Sequence, residues 1–240
     1  MREILSCASV LAVLVVIGAP APGSAEETAT VRGSIHFSGT APPPRRVLIT
    51  KNNETCGDGE REIVEVDVKD GMLLDAVAYI DGKIAGMAPP EKTEYELIQK
   101  GCRFRPYIMY VPRGSTLKIV NADPVAHNIH SYEIIGRARR DVFNFQQPTQ
   151  GHTKRKKIKP RRGNKIQLTC DIHDFMAGWI FVPDNPFATV ATDGTFAFEG
   201  VPAGERTLKI YHPILGVQEK KLTLAAGQEV TVDFEFEPTD

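Results

Sequence analysis

The stretch Lys165-Ile166-Gln167-Leu168-Thr169-Cys170-Asp171-Ile172-His173-Asp174-Phe175-Met176-Ala177-Gly178-Trp179-Ile180-Phe181-Val182 reads as strand, loop and strand. Residues 165–169 alternate polar and apolar side chains, the period of a half-buried strand. Residues 178–182 leave the loop as a second, apolar strand. The loop between them has the spacing C-x2-H-x2-M. A thiol, an imidazole and a thioether form the soft-to-borderline donor set that suits copper. A second imidazole lies upstream in His127-Asn128, after a strand-like run over residues 116–121. His127, Cys170, His173 and Met176 are the candidate ligands of one mononuclear copper ion.

Outward from this loop the chain keeps the same character. Its 240 residues include 20 Gly and 17 Pro, which interrupt it often and favour many short strands. No segment sustains a 3.6-residue apolar period. Strands are expected over residues 31–37, 47–50, 63–68, 76–80, 95–99, 105–111, 116–121, 127–135, 154–159, 165–169 and 178–182. Residues 141–152 read as a loop or bent edge. Pro183-Asp184-Asn185-Pro186 breaks the chain. Beyond it, five compact strand candidates separated by Asp193-Gly194, Pro202-Ala203-Gly204-Glu205 and Ala226-Gly227 form a second unit. The expected fold class is all-β: a Greek-key β-sandwich followed by a small β-sandwich. The expected division is a signal peptide over residues 1–25, a copper domain over 26–183 and a β-sandwich over 184–240.

The signal peptide is read from Arg2, the apolar run over residues 4–19 and the small residues Ala21-Pro22-Gly23-Ser24-Ala25. The run is shorter than the ~20 residues of a spanning helix. Export to the periplasm or beyond is expected, with no spanning segment after cleavage. Cys7 leaves with the signal, so Cys56, Cys102 and Cys170 remain. An odd count leaves one thiol over. Cys170 has its imidazole company, so the turn-borne Cys56 and Cys102 are paired as a disulfide, the usual state outside the cytosol.

The net charge of −1 hides an asymmetry. Residues 100–170 carry 16 Lys and Arg against Asp123, Glu133 and Asp141, a balance of +13, and the rest of the chain carries −14. The basic region over residues 137–165 could dock an acidic redox partner. Its run Lys154-Arg155-Lys156-Lys157 has no interleaved aromatic residue, and export argues against nucleic acid.

His130 is the competing imidazole. Three residues from His127, it faces the other side of a strand, so it is expected beside the site, with Asn128, rather than on the ion. No Ser-His-Asp or paired-carboxylate pattern emerges, and no enzyme is expected. Electron transfer is the leading expectation. Copper binding or delivery without redox cycling, or a structural or adhesive module, are the alternatives.

The chain resembles the cupredoxins, the plastocyanin-like blue-copper proteins. More closely, it resembles a bacterial methylamine-utilisation-like group with a carboxypeptidase-regulatory-like (transthyretin-like) domain at the C-terminus. The resemblance is carried by Gly101-Cys102-Arg103-Phe104, by Val120-Asn121-Ala122-Asp123-Pro124-Val125-Ala126-His127-Asn128-Ile129-His130, by Cys170–Met176, and by Asp193-Gly194-Thr195-Phe196 with Val201-Pro202-Ala203-Gly204. It implies that His127, Cys170 and His173 are equatorial ligands and Met176 the axial one. It also implies that the Asn128 backbone N–H bonds the thiolate. The Met spacing departs from plastocyanin-like proteins and resembles the ligand run of dinuclear copper centres, whose second Cys is absent here.

Overall fold

The computed structural model describes residues 28–85 and 92–238. The expected signal peptide lies outside the described residues. Two β-sandwiches make up the fold, and the chain passes between them four times.

It begins with β1 (Thr28–Phe37) in what we call the flanking sandwich. It crosses to the other unit as the hairpin β2 (Arg45–Leu48) and β3 (Glu60–Ile63), with the helical turn α1 (Asn53–Cys56) at its tip. It returns as β4 (Val68–Lys69), β5 (Met72–Leu73) and β6 (Ala76–Ile80). A long central passage follows: β7 (Glu94–Gln99), β8 (Phe104–Arg105), β9 (Ile108–Tyr110), β10 (Thr116–Asn121) and β11 (His127–Ile135). It continues through β12 (Ala138–Gln147), β13 (Thr153–Lys157), β14 (Lys165–Thr169) and β15 (Ala177–Phe181). The last passage returns to the flanking sandwich as β16 (Ala188–Ala191), β17 (Thr195–Pro202), β18 (Gly204–His212), β19 (Gly216–Leu224), β20 (Glu229–Thr231) and β21 (Phe234–Phe236).

The central sandwich packs the sheet β13-β10-β7-β8 against the sheet β12-β11-β14-β15-β9. Leu97, Leu117 and Ile119 of the first meet Ile129, Ile166, Leu168 and Ile180 of the second. These are the inward positions of alternating strands, and β10 and β14 bury every second residue as their sequences predict. In the flanking sandwich, β1 is the hub. It pairs with β17 and β5 antiparallel and with β20 and β21 parallel. This sheet closes over β16-β6-β18-β19, with Val31, Ile35, Ile80, Leu208, Ile210 and Phe234 in the core.

The expected division at residues 183/184 does not follow the sheets. β1 and β6 supply strands and core residues to the C-terminal sandwich, so that unit is built from both ends of the chain. Long-range hydrogen bonding, rather than proximity in sequence, decides the grouping. The same crossing explains a second correction. Residues 63–68 were expected to be one strand, but only the two ends pair, as β3 and β4, and Val64 is exposed. Here the chain leaves one sandwich for the other. Of residues 141–152, expected as a loop or bent edge, Asp141–Gln147 is the edge alternative: it belongs to β12, an edge strand that pairs with β11 with a register shift at Ser131/Tyr132. As an edge strand it carries polar side chains on its open face, which masks its period.

Strand β6 explains how the two sandwiches join. All five of its residues are buried. Ala76, Ala78 and Ile80 point into the flanking core, while Val77 and Tyr79 meet Ile108, Phe181 and Tyr211 between the units. The Tyr79 and Phe181 rings lie 4.4 Å apart. A strand covered on both faces needs a continuous apolar run, which Ala76-Val77-Ala78-Tyr79-Ile80 supplies. Gly33 marks the tightest approach in the flanking sheet. A Cβ there would sit 2.0 Å from the Val232 carbonyl oxygen, between β20 and β21.

Candidate metal centre

Three donors converge at one end of the central sandwich. His127 is the first residue of β11, Cys170 follows the last residue of β14, and His173 lies in the loop before β15. Because β11 and β14 are antiparallel neighbours, with His130 opposite Thr169, the start of one strand lies beside the end of the other. The thiol and the two imidazoles place their donor atoms within 4.8 Å of one another, and all three residues are buried. Cys170 Sγ is 3.8 Å from His173 Nδ1, and the Nδ1 atoms of His127 and His173 are 3.1 Å apart.

The outward nitrogens of both rings are engaged. His127 Nε2 lies 2.9 Å from Asp123 Oδ2. An ionised carboxylate only accepts, so this nitrogen carries the proton. His173 Nε2 donates to Asn52 Oδ1 at 2.9 Å. Burial, then the neighbouring His127 and Lys51, push the His173 ring down to about 4, so it is neutral at pH 7 with its proton on Nε2. The two Nδ1 atoms therefore face each other beside a thiol. A cation held by all three groups would take the place of that contact, and outer hydrogen bonds of this kind fix the ring orientation of metal-bound histidines.

Asp123 is suited to this role. Burial opposes its ionisation, but the Cys102 and Gly101 N–H groups and the His127 ring outweigh burial and hold its carboxyl below the usual range. Its own N–H donates to Asn121 Oδ1. The Asn128 backbone N–H donates to Cys170 Sγ at 3.4 Å, as the sequence resemblance implied. The Asn128 side chain accepts from the Asp171 N–H at 3.1 Å and donates to Asn144 Oδ1 at 2.6 Å, which ties the ligand loop to β11 and β12.

Met176 is buried in the central core, and its N–H donates to the His173 carbonyl at 2.9 Å, closing the loop into a turn. With Phe175, Phe104, Tyr107 and His212 it lines a cavity of about 180 Å³ between the sandwiches. Phe175 packs near the His173 ring, while Trp179 belongs to the contact between units. His130 lies outside the cluster. Its ring bridges Asp141 and Asp171 at 3.0 and 3.2 Å and stacks on Tyr132. Cys56 and Cys102 form the expected disulfide, and Cys170 is the free thiol among the described residues.

Sequence reading missed Asp123 and Asn52 as partners of the two imidazoles. Asp123 left a weak signal, four residues before His127. Asn52 left none, because 121 residues separate it from His173. A hydroxyl, an imidazole and a carboxylate also meet in the flanking sandwich, at Ser34, His36 and Asp233. There the Ser34 hydroxyl donates to Asp233 and accepts from His36, so the imidazole is not placed to take its proton, as a catalytic base must.

No family model and no curated protein matches this chain. Among solved structures, a purple cupredoxin from Nitrosopumilus maritimus is similar over 36% of this chain and 97% of its own, at 19% identity and TM-score 0.31. Amicyanin from Paracoccus versutus is similar over 44% and 96%, at 15% identity and TM-score 0.31. A Cu-containing nitrite reductase from Thermus scotoductus is similar at 24% identity and TM-score 0.29, over 41% of this chain and only 24% of the reductase chain. At these scores the likenesses are partial, and the fold and site described above rest on this chain's own strands and side chains.

Proposed function

We propose that the protein binds one copper ion through His127, Cys170 and His173, with Met176 as a weaker axial ligand, and that it carries electrons between exported partners without turning over a substrate. The observation that supports this reading best is the pair of facing Nδ1 atoms beside a buried thiol, each ring anchored through its other nitrogen. A thiolate, two imidazoles and a thioether suit copper in both of its common oxidation states. When bound, the ion would supply one-electron chemistry.

The chain's part is to keep the donors still and dry. His127 and His173 are held by Asp123 and Asn52, and Cys170 is held by the Asn128 N–H. Burial of all three donors keeps water from them. A donor set that moves little between charge states lowers the cost of electron transfer. The basic region over residues 137–165 is the proposed docking surface for an acidic partner. Lys157 and Lys159 are exposed there, and Lys154 and Lys156 sit over the Phe145 ring with their charges near the surface. Association through such a surface weakens as salt rises.

The test is the visible spectrum of the copper(II)-loaded protein, followed through reduction and reoxidation. An intense thiolate-to-copper band that bleaches and returns supports the carrier. Copper uptake without reversible reduction would move the reading to storage or delivery. Absence of uptake, with Cys170→Ala and His173→Ala behaving like the parent, would end the metal reading.

A further inference from the structure

We infer that the Cys56–Cys102 disulfide is a positioning device for the metal centre, joining the outer partners of both histidines into one clamp. The inference rests on His127 and His173 being ligands, as proposed above. Each half of the bridge belongs to the support of a different imidazole. Cys56 closes the helical turn α1, and its N–H donates to the Asn52 carbonyl at 2.8 Å. The Asn52 side chain in turn accepts from His173. On the other side, the Cys102 N–H donates to Asp123 Oδ2 at 2.9 Å, and the same oxygen accepts from His127 Nε2.

The covalent path between the two supports is therefore short. Asn52 lies four residues from Cys56, and Asp123 contacts Cys102 directly. The sulfurs also come close to the rings. Both lie within 4.8 Å of a His173 nitrogen, and Cys102 Sγ lies within 4.8 Å of donor atoms of Asp123 and His127.

Arg61 reinforces the same joint. Its guanidinium donates to the Cys102 and Gly101 carbonyls at 2.9 and 3.1 Å and also to the Cys56 carbonyl. Its far face covers the Phe175 ring, 5.0 Å from the centroid, in the ligand loop. Among the described residues, the hairpin that carries Asn52 forms its own two-stranded sheet, without strand pairing to the central sheets. Asn52 and Cys102 both hold left-handed backbone, with φ of 54° and 52°. That conformation is uncommon outside glycine and persists where neighbours enforce it. Without the bridge, the Asn52 turn would be free to withdraw from His173, and the Cys102 N–H from Asp123.

A disulfide of this sequence separation also stabilises any fold by constraining the unfolded chain, so the test must separate stapling from positioning. The variants are Cys56→Ala/Cys102→Ala, and Asn52→Gly, which removes the acceptor while tolerating the left-handed backbone. Asn52→Asp restores an acceptor. Two measurements are made at a temperature where every variant is folded: ¹⁵N NMR of the imidazoles in the metal-free protein, and affinity for copper(II) alone. In the double variant we expect the signals of both His127 and His173 to move. In Asn52→Gly only those of His173 move, and Asn52→Asp returns them toward the parent. Copper(II) affinity falls about 10–100-fold in the double variant and in Asn52→Gly, the usual effect of losing an outer partner.

Unchanged imidazole signals and affinity, with only a lower melting temperature, would show a staple and overturn the inference. If the double variant does not fold, Asn52→Gly decides, because unaltered His173 signals there contradict the clamp. If the parent binds no copper, the proposed function fails, while the metal-free NMR still shows whether the bridge positions the two rings.

Discussion

The central and flanking sandwiches are similar in construction and opposite in what they bury. Among the described residues, Gln99, Asn121, Asp123, His127, Ser131, Glu133, Gln147 and His173 are buried in the central unit, whereas Asn185 and His212 are the buried polar side chains of the flanking passages. The flanking core is apolar throughout, from Val31 and Ile35 to Phe234 and Phe236. Burying polar groups costs stability unless each finds a partner. Around the ligand loop the central unit meets that condition with a connected set of hydrogen bonds, while Gln99 Oε1, His152 Nδ1 and Gln167 Oε1 are buried in the same unit without a partner among the described residues. Glu133 shows the same habit away from the site. Burial disfavours its charge, but the N–H groups of residues 161–163 and the Arg140 guanidinium overcome this and bring its carboxyl down to about 2. One unit is thus built around buried polar groups and the other around an apolar core, and substitutions should separate the two.

The sharpest separation pairs one variant from each unit. Cys170→Ala should abolish the thiolate-to-copper band and leave the fold intact. Phe234→Ala should cost about 3–5 kcal/mol in a urea titration, the usual cost of an aromatic truncation in a core, and leave the band unchanged. If Phe234→Ala alters the band while the protein is folded, the two units are not separable in function.

Asp123→Ala comes next. It leaves the Gly101 and Cys102 N–H groups and His127 Nε2 without their acceptor. A stability loss of about 2–4 kcal/mol is expected, since each orphaned group costs about 1–3 kcal/mol before relaxation. Unlike Phe234→Ala, it should also weaken copper binding. A loss of stability with unaltered binding would remove Asp123 from the site.

The flanking unit has its own titrating group. Burial lowers the His212 ring to about 4, and its Nδ1 accepts from the Ile214 and Leu215 N–H groups, which requires the neutral form on that side. A folded value below the unfolded value of about 6.5 means that stability is full above about pH 6.5. It falls as the pH drops from there to about 4, because the unfolded chain takes up a proton that the folded chain refuses. The shift corresponds to about 3 kcal/mol. Denaturant titrations at pH 7 and pH 4.5 should therefore differ more in the parent than in His212→Gln. An equal pH dependence in both proteins would contradict the assignment.

The smallest effect is expected at the surface of the central sheet. Lys118 and Glu96 pair at 2.5 Å across neighbouring strands, both partly exposed. Lys118→Ala should change stability by less than about 1 kcal/mol, and salt should erase the difference. A larger effect would mean that the polar order of the central unit extends to its outer face.

Much of this was legible before any coordinates. The alternation of β10 and β14 identified their buried faces, because one face of each meets a core and the other does not. The C-x2-H-x2-M spacing located the ligand loop, and the odd cysteine count led to the Cys56–Cys102 bridge. β12 was legible only as a loop or bent edge, because an edge strand can be polar on its open side. The Asn52 contact was hidden because it is made by a turn far away in sequence.

By itself, then, the sequence determined the β class, the loop that carries Cys170 and His173, the distant His127 and the disulfide pairing. These follow from local periodicity, local spacing and simple counting. Only the tertiary structure decided that β1 and β6 join the C-terminal strands, and that Asp123 and Asn52 hold the two rings. Strand partnership and outer hydrogen bonds depend on which segments meet in space. For β1 and β21 the meeting partners are Ile35 and Phe234, two residues from opposite ends of the chain.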